Sequence, residues 1–249
     1  MLLGVIVLQT EDFRIGSVLM VVSKSAAVRD GVVVRPEGAW GSDVDHLRWL
    51  ARAGWIPAHL KGKTVLDLGC GSGEICEWAV ASGAGHVTGI DLVAPRRPLA
   101  TPAGPAGSTG PTLWQWRMVD LSSPTWSSQI GEVHDIVFAF DIVEHVPAPG
   151  VFLRQCAAVM RPGATLVLTT PNVNSWERML RPSTWSATID PQHELLFTRW
   201  SLGFLLERCG FTVSLSWAPV RRLEFLPNAI HPWVGAQIFM LAQKSSATR

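Results

Sequence analysis

The chain has 249 residues, of which 47% are hydrophobic and 16% are charged. Its 21 Lys and Arg residues are balanced by 20 Asp and Glu residues, which gives a formal net charge of +1. This length and hydrophobic content predict one globular unit with a core of its own, and the near-zero charge argues against nucleic acid as the main partner, because that binding depends on neutralising many phosphates.

Two features of the chain predict a cytoplasmic protein. The apolar runs at 2–8 and 18–22 are much shorter than the roughly 20 residues that a membrane-spanning helix needs. No basic region precedes the first run, so no targeting or transmembrane segment is expected. The four cysteines show no C-x-x-C spacing, which favours reduced thiols over a zinc site or a disulfide framework.

The chain is predicted to have three parts: an N-terminal extension (1–40), an N-terminal helical cap (41–62) and a main domain (63–249). In the cap, 42–60 is predicted to be one helix, with Ser42 or Asp43 as its N-cap. In the main domain, short apolar runs alternate with helix-like segments. The predicted strands are 64–68, 87–91, 113–119, 135–140 and 165–169, and the predicted helices are 74–81, 149–160 and 201–209.

This alternation is typical of an α/β fold, with a mostly parallel sheet covered by helices on both faces. Two last runs, 211–217 and 236–242, are expected to complete the sheet as an antiparallel pair. The five prolines and three glycines of 94–112 disfavour a helix between the second and third strands. The segment 172–192, which follows a strand end, is expected to be an irregular lid insertion over a ligand.

A Gly-rich turn after the first predicted strand is the most informative motif. The strand passes from Asp67 through Gly69, Gly71 and Gly73 into a helix, and such glycines let a ligand approach the backbone closely. The spacing differs from the G-x-G-x-x-G of dinucleotide-binding proteins, and no Lys followed by Ser or Thr marks a phosphate loop. Asp67 suits a ligand with ammonium and sulfonium charges better than a pyrophosphate.

Two further carboxylates, Asp91 and Asp120, end the next two predicted strands. A carboxylate in the position of Asp91 can accept hydrogen bonds from the hydroxyls of a ribose, and Asp120 could face an adenine amino group. The alternative for each is a loop carboxylate that caps a helix or a turn. Together with the Gly-rich turn, these residues predict one ligand crevice at the strand ends.

Four motifs occur in order along the chain: Asp67-Leu68-Gly69-Cys70-Gly71-Ser72-Gly73, Gly89-Ile90-Asp91, Phe140-Asp141-Ile142-Val143-Glu144-His145-Val146 and Met160-Arg161-Pro162-Gly163-Ala164. They resemble the motifs of class I S-adenosylmethionine-dependent methyltransferases. The resemblance implies a Rossmann-like methyltransferase fold, in which a doubly wound, mostly parallel seven-stranded sheet has a final antiparallel strand, and S-adenosylmethionine as cofactor. The cofactor-binding residues that it implies are Asp67, Gly69, Cys70, Gly71, Gly73, Asp91, Leu92, Asp120, Leu121 and Asp141.

Three elements indicate a branch within that class: Asp141-x-x-Glu144-His145-Val146, Thr170-Pro171-Asn172, and His193 followed by Phe197-Thr198. They are most similar to the ubiquinone-biosynthesis O-methyltransferases and their small-molecule relatives. The resemblance covers about residues 60–217 and does not extend to the first 40 residues.

Two histidines are candidate catalytic residues, because a hydroxyl acceptor must lose its proton and imidazole titrates near neutrality. His193 is the first choice, since the preceding segment can wrap over an acceptor, and His145 is the second. Asp141, Glu144 and His145 have the i, i+3, i+4 spacing that shares one face of a helical turn. They are candidate ligands for a divalent cation; alternatively, they order the loop and contact the cofactor.

The predicted function is transfer of a methyl group to a small-molecule acceptor, with a hydroxyl oxygen of a hydrophobic or aromatic metabolite as the leading choice and secondary metabolism as the setting. Eight of the 12 Trp residues lie outside 63–171, in segments expected to cover the acceptor, and Tyr is absent. The alternatives are a carbon or nitrogen methyltransferase and a cofactor-binding protein without transfer activity. The sequence leaves the oligomeric state open, with a homodimer as one option.

Overall fold

The computed structural model describes residues 27–29, 32–34, 47, 50, 51, 54, 56, 60–95, 114–218 and 234–245. The chain divides into two units, Met1–Ser42 and Asp43–Arg249. In the first unit, β1 (Ala27–Arg29) and β2 (Val32–Val34) pair as antiparallel strands. The assignment of 1–40 as an extension and of 41–62 as a cap stays a prediction.

A seven-stranded sheet forms the centre of the second unit. Its strands are β3 (Thr64–Leu68), β4 (His86–Asp91), β5 (Trp114–Met118), β6 (His134–Phe140), β7 (Met160–Pro171), β8 (Phe211–Trp217) and β9 (Gln237–Lys244). Their order is β5-β4-β3-β6-β7-β9-β8, and β9 runs antiparallel to both of its neighbours while the other pairs are parallel. The predicted fold class is therefore confirmed, including the antiparallel end of the sheet.

Helices cover both faces of this sheet. The described helices are α1 (Glu74–Ala81), α2 (Pro149–Ala158), α3 (Trp176–Leu180), α4 (Ser186–Ile189) and α5 (Arg199–Arg208), with a 3₁₀ helix at Trp126–Gln129. Of these, α2 and α5 pack on one face of the sheet and α1 packs on the other. Strand side chains alternate between the faces: Leu66 belongs to a buried cluster with Leu153 and Leu202, whereas Val65 belongs to a second cluster with Ala79. The strands are buried on both sides, which explains why they read as short continuous apolar runs.

The prediction of a single helix over 42–60 is wrong. Leu47, Leu50 and Ala51 are helical, but Gly54 lies in a turn with φ +74° and its N–H donates to the Ala51 carbonyl oxygen at 3.1 Å. A left-handed residue of this kind ends a helix, and Leu60 lies in no helix. The predicted caps Ser42 and Asp43 fall outside the described residues.

Two further predictions differ from the structure. The helix predicted over 149–160 ends at Ala158, because Met160 already pairs with His134 of β6, so β7 begins before the predicted start of that strand at 165. The segment 172–192 is not wholly irregular, since it contains α3 and α4. Most of 94–112 lies outside the described residues.

The described helices bear on the expectation about membrane spans, and the cysteines bear on the expectation about disulfides. Among the described residues, no helix is both long and apolar enough to cross a bilayer. All four cysteines are buried free thiols, as expected from their spacing.

Candidate active site

The Gly-rich turn connects the carboxyl end of β3 to α1. The N–H groups of Gly69 and Cys70 both donate to the carbonyl oxygen of Ile90, at 2.8 and 3.0 Å, which ties the turn to the end of β4. Gly73, with φ +86°, is the residue that precedes the first turn of α1. The turn thus lies at the carboxyl edge of the parallel strands, where ligands of such sheets bind.

The space beside the backbone differs among the three glycines of the turn. A Cβ on Gly69 would lie 2.2 Å from Ile142 Cδ1, and a Cβ on Gly73 would lie 2.3 Å from Trp114 Cζ2. A Cβ on Gly71 would meet no atom within 4 Å. Protein therefore fills the space beside Gly69 and Gly73, whereas the backbone at Gly71 faces open space, as a closely bound cofactor requires.

Asp91 lies directly beside this open position. The N–H of Gly71 donates to Asp91 Oδ2 at 2.9 Å, and the N–H of Val93 donates to Oδ1 at 3.1 Å. Leu92, also predicted to bind cofactor, is 60% exposed. The structure thus places the Asp91 carboxylate at the opening beside Gly71, which is the open space at the Gly71 Cβ position, and leaves the next residue, Leu92, exposed.

Asp67 lies in β3, just before the Gly-rich turn, and is only 2% exposed. The thiol of Cys76 on α1 donates to Asp67 Oδ2 at 3.5 Å. A hydrogen bond with Cys70, burial and the nearby Asp67 charge raise the pKa of the Cys76 thiol far above its ordinary range, so it remains a donor. Cys76 is a residue of the site that sequence reasoning missed, although its position one helical turn after the glycines could have indicated it.

Asp120 and Leu121 follow β5, and Asp120 is exposed. The Ser122 hydroxyl and N–H donate to Asp120 Oδ1 at 2.6 and 2.9 Å, and these hydrogen bonds lower the pKa of the Asp120 carboxyl. Asp120 thus adopts the turn-capping role that was its alternative interpretation. The N–H of Val119 donates to the Asp91 carbonyl oxygen at 3.2 Å, so Asp120 still lies close to the end of β4.

Asp141, at the end of β6, is the single non-glycine residue with a positive φ in the described part of the chain, at +50°. Its N–H donates to the carbonyl oxygen of Thr169 at 3.1 Å, and the Thr169 hydroxyl donates to Asp141 Oδ1 at 3.1 Å. Gln237 Nε2 donates to Oδ2 at 2.7 Å. Thr169 and Gln237 were both missed, because neither belongs to a local motif with Asp141.

The two candidate catalytic histidines lie together. Their ring centroids are 4.7 Å apart. His145 Nδ1 is 3.0 Å from the carbonyl oxygen of Gln192, and His193 Nδ1 is 2.7 Å from that of Ala187. A carbonyl oxygen only accepts hydrogen bonds, so Nδ1 carries the hydrogen in both neutral rings and Nε2 carries the lone pair.

Glu144 completes a cluster with these histidines. It is fully buried, and Thr170 Oγ1 donates to Glu144 Oε2 at 2.9 Å. Glu144, His145 and His193 each offer one ligand atom within 4.8 Å of the others. Asp141 is outside this group, because 143–145 form a turn and not a helix, so the predicted shared helical face of Asp141, Glu144 and His145 does not exist. His193 takes its place.

The segment after β7 is anchored at the same edge of the sheet. Asn172 Nδ2 donates to the carbonyl oxygen of Gly235 at 2.8 Å, and the N–H of Trp176 donates to that of Val234 at 2.8 Å. Trp176 is 41% exposed, whereas Trp185 is buried. Trp40, another of the Trp residues expected to cover the acceptor, is outside the described residues. A lid role for this segment stays a prediction.

Comparison with known proteins shows the family. A family model described as a methyltransferase domain matches residues 44–215, more than half of the chain. The chain therefore belongs to the methyltransferase-domain family, which confirms the class expected from its motifs.

Three known proteins illustrate the likeness. A ubiquinone biosynthesis O-methyltransferase of Aeromonas salmonicida is 36% identical over 126 residues, which cover 49% of this chain and 50% of that protein. The chain thus matches about half the length of such curated relatives. An S-adenosylmethionine-dependent methyltransferase of Mesorhizobium loti shares the fold with a TM-score of 0.55 and 20% identity, over 79% of this chain and 97% of that one. A second, of Archaeoglobus fulgidus, shares it with a TM-score of 0.55 and 19% identity, over 82% of this chain and 95% of that one. These two structures show the likeness in fold, and membership of the methyltransferase-domain family supports S-adenosylmethionine as the cofactor.

Proposed function

We propose that the protein is an S-adenosylmethionine-dependent methyltransferase that acts on a hydroxyl oxygen of a small hydrophobic or aromatic acceptor in the cytoplasm. The observation that carries the choice of oxygen is the pair His145 and His193, whose Nε2 atoms both carry lone pairs at the carboxyl edge of the sheet. The similarity to relatives named O-methyltransferases supports the same choice.

The cofactor is proposed to bind at the opening beside Gly71. The Gly71 backbone allows close approach, Asp91 offers carboxylate oxygens for ribose hydroxyls, and Leu92 offers apolar surface for a flat base. Asp67, whose carboxylate accepts a hydrogen bond from the Cys76 thiol, provides negative charge next to the Gly-rich turn. When bound, S-adenosylmethionine supplies an electrophilic methyl group on a positively charged sulfur.

His193 is the proposed general base. Its Nδ1–H is fixed by the Ala187 carbonyl oxygen, so Nε2 can take the proton of an acceptor hydroxyl. Once Nε2 is protonated, the Asp190 carboxylate, with Oδ2 at 3.8 Å, stabilises the positive ring. The His193 side chain is 9% exposed, so the ring is largely shielded from water, and the bond to Ala187 orients it.

A divalent cation is the second route to the same deprotonation. Glu144, His145 and His193 supply one carboxylate and two imidazoles, a donor set that suits several divalent metals. A cation held by His193 Nε2 would occupy the lone pair that the general base needs. The two routes therefore exclude each other at His193 and make opposite predictions about chelators.

The acceptor is proposed to be apolar because α3, which lies in the segment after β7, exposes large apolar side chains. Trp176, Met179 and Leu180 are 41%, 60% and 71% exposed. Exposed apolar side chains grouped on one short helix are a common feature of binding surfaces. They favour an acceptor with a hydrophobic part over a sugar-like one.

The test compares wild-type protein with His193→Gln, using a panel of hydrophobic phenols and catechols and measuring formation of S-adenosylhomocysteine. Loss of a general base is expected to lower kcat by about 100-fold or more, while the Kd for S-adenosylmethionine stays within about twofold. The matched control is His86→Gln, because His86 is also partly exposed and near a carboxylate, with Nε2 3.6 Å from Glu132 Oε2, but lies at the start of β4.

The outcomes separate the alternatives. Unchanged turnover in His193→Gln would remove His193 from the mechanism, and a product methylated on carbon or nitrogen would identify the rival chemistry. Activity that is abolished by a chelator and restored by a divalent cation would favour the metal route. Cofactor binding without product from any acceptor would favour a binding protein without transfer activity.

A further inference from the structure

The carboxylate of Asp141 is fixed by a residue from the last strand of the sheet. Gln237 is the first residue of β9, and its Nε2 donates to Asp141 Oδ2 at 2.7 Å. A hydrogen bond of this length to an ionised acceptor is at the short end of the usual range, as expected for a charge-assisted bond. The partner on the other side is Thr169 Oγ1, at 3.1 Å from Oδ1.

These bonds stabilise Asp141 in a backbone conformation that costs free energy for a residue with a Cβ. Its φ of +50° lies in the left-handed region, which is unfavourable for most residues other than glycine. Such a conformation persists only where the surroundings over-determine it. Thr169 holds both the backbone and one carboxylate oxygen, and Gln237 holds the other oxygen.

The turn that starts at Asp141 packs against the Gly-rich turn. The next residue, Ile142, has Cδ1 and Cγ1 at 2.2 and 2.8 Å from where a Cβ on Gly69 would be. Gly69 in turn donates its N–H to the Ile90 carbonyl oxygen at the end of β4. A shift of Asp141 would therefore displace Ile142 and loosen the turn that carries Gly71.

We propose that Gln237 is a positioning residue for the cofactor site, acting through Asp141 on the turn between β3 and α1. This inference rests on the proposed function, because it places the cofactor beside Gly71. Gln237 belongs to none of the sequence motifs, and its contact with Asp141 joins residues 96 positions apart in the chain.

The experiment measures the Kd for S-adenosylmethionine by isothermal titration calorimetry, together with the thermal midpoint, for Gln237→Leu, Gln237→Lys and Gln237→Glu. Leu removes the donor, Lys retains a donor, and Glu places a second carboxylate against Asp141. The expected order of Kd is wild type and Lys lowest, Leu at least about 10-fold higher, and Glu higher still. In activity assays, the KM for the cofactor is expected to rise more than kcat falls.

Gln243→Leu is the matched control. Gln243 lies on the same strand but at its other end, where it pairs with Thr165 of β7 and Thr212 of β8. Its replacement by Leu is expected to leave the Kd within about twofold of wild type. A general loss of strand stability would instead affect both glutamine variants alike.

Several results would overturn the proposal. One is a folded Gln237→Leu variant that binds the cofactor like wild type, and another is a Lys variant that loses as much affinity as the Leu variant. If the Leu variant does not fold, the Lys and Glu variants decide, because equal affinities for these two would contradict the role of the donor. Absence of cofactor binding in the wild-type protein would overturn the proposed function instead, whatever the variants do.

Discussion

Replacing Gly71 or Gly73 by alanine should separate cofactor binding from stability. Both residues have a positive φ, +50° and +86°, so a side chain at either costs about 1–2 kcal/mol of backbone strain. The new Cβ at position 73 would also lie 2.3 Å from the buried Trp114 ring. Forcing a packed core to move costs about 1–3 kcal/mol more, so Gly73→Ala should lose about 2–5 kcal/mol of unfolding free energy.

Gly71→Ala should behave in the opposite way. Its Cβ meets no protein atom within 4 Å, so only the backbone strain of about 1–2 kcal/mol applies to stability. The same Cβ occupies the open space in which the cofactor is proposed to lie. The Kd for S-adenosylmethionine should therefore rise at least about 10-fold, which corresponds to about 1.4 kcal/mol.

The assay combines urea unfolding with isothermal titration of S-adenosylmethionine. Gly131→Ala is the matched control, because Gly131 also has a positive φ, +72°, and open space at its Cβ, but precedes β6 at the other end of that strand. It should lose as much stability as Gly71→Ala and bind the cofactor like wild type. Wild-type affinity in Gly71→Ala would refute the placement of the cofactor beside Gly71.

Two other substitutions test the buried polar groups. Thr170→Val removes the donor to the fully buried Glu144 and should cost about 1–3 kcal/mol of unfolding free energy in urea; a loss below that range would mean that this bond contributes little. Burial lowers the pKa of His134 from its ordinary value of 6.5, so below that pH the unfolded chain takes up a proton that the folded chain does not. Wild-type stability should therefore fall as pH drops below 6.5, by at most about 1.4 kcal/mol per pH unit from this group, until the folded-state pKa is reached. His134→Gln should lack this loss, so its deficit relative to wild type narrows on acidification, and parallel pH curves for the two proteins would contradict the argument.

The fold and the proximity of Gly71 to Asp91 could be predicted because their signals are local. The strands are short apolar runs, the Gly-rich turn follows the first of them, and Asp91 ends the next. In a parallel sheet, the ends of such strands meet at one edge. That rule brings the Gly-rich turn and Asp91 to the same edge, where the structure adds the hydrogen bond from Gly71 to Asp91.

The rest depends on backbone conformation and on contacts distant in sequence. The i, i+3, i+4 spacing of Asp141, Glu144 and His145 predicted a shared helical face, but the left-handed φ of Asp141 directs its carboxylate toward Thr169 and Gln237. No local pattern indicates Gln237, because β9 reaches β6 only through the folded sheet. Motif reading therefore identified Glu144, His145 and His193, but it grouped the first two with Asp141, whereas the structure groups them with His193.

In the proposed mechanism, S-adenosylmethionine lies in the opening beside Gly71 and Asp91 with its reactive side toward His193. The most direct measurement is a crystal structure of the wild-type chain with S-adenosylhomocysteine, the product of the proposed reaction. The expected result is ligand density against the Gly71 backbone and the Asp91 carboxylate, with the sulfur on the side of His193. Density at another place, or no binding at saturating ligand concentration, would contradict this placement of the cofactor.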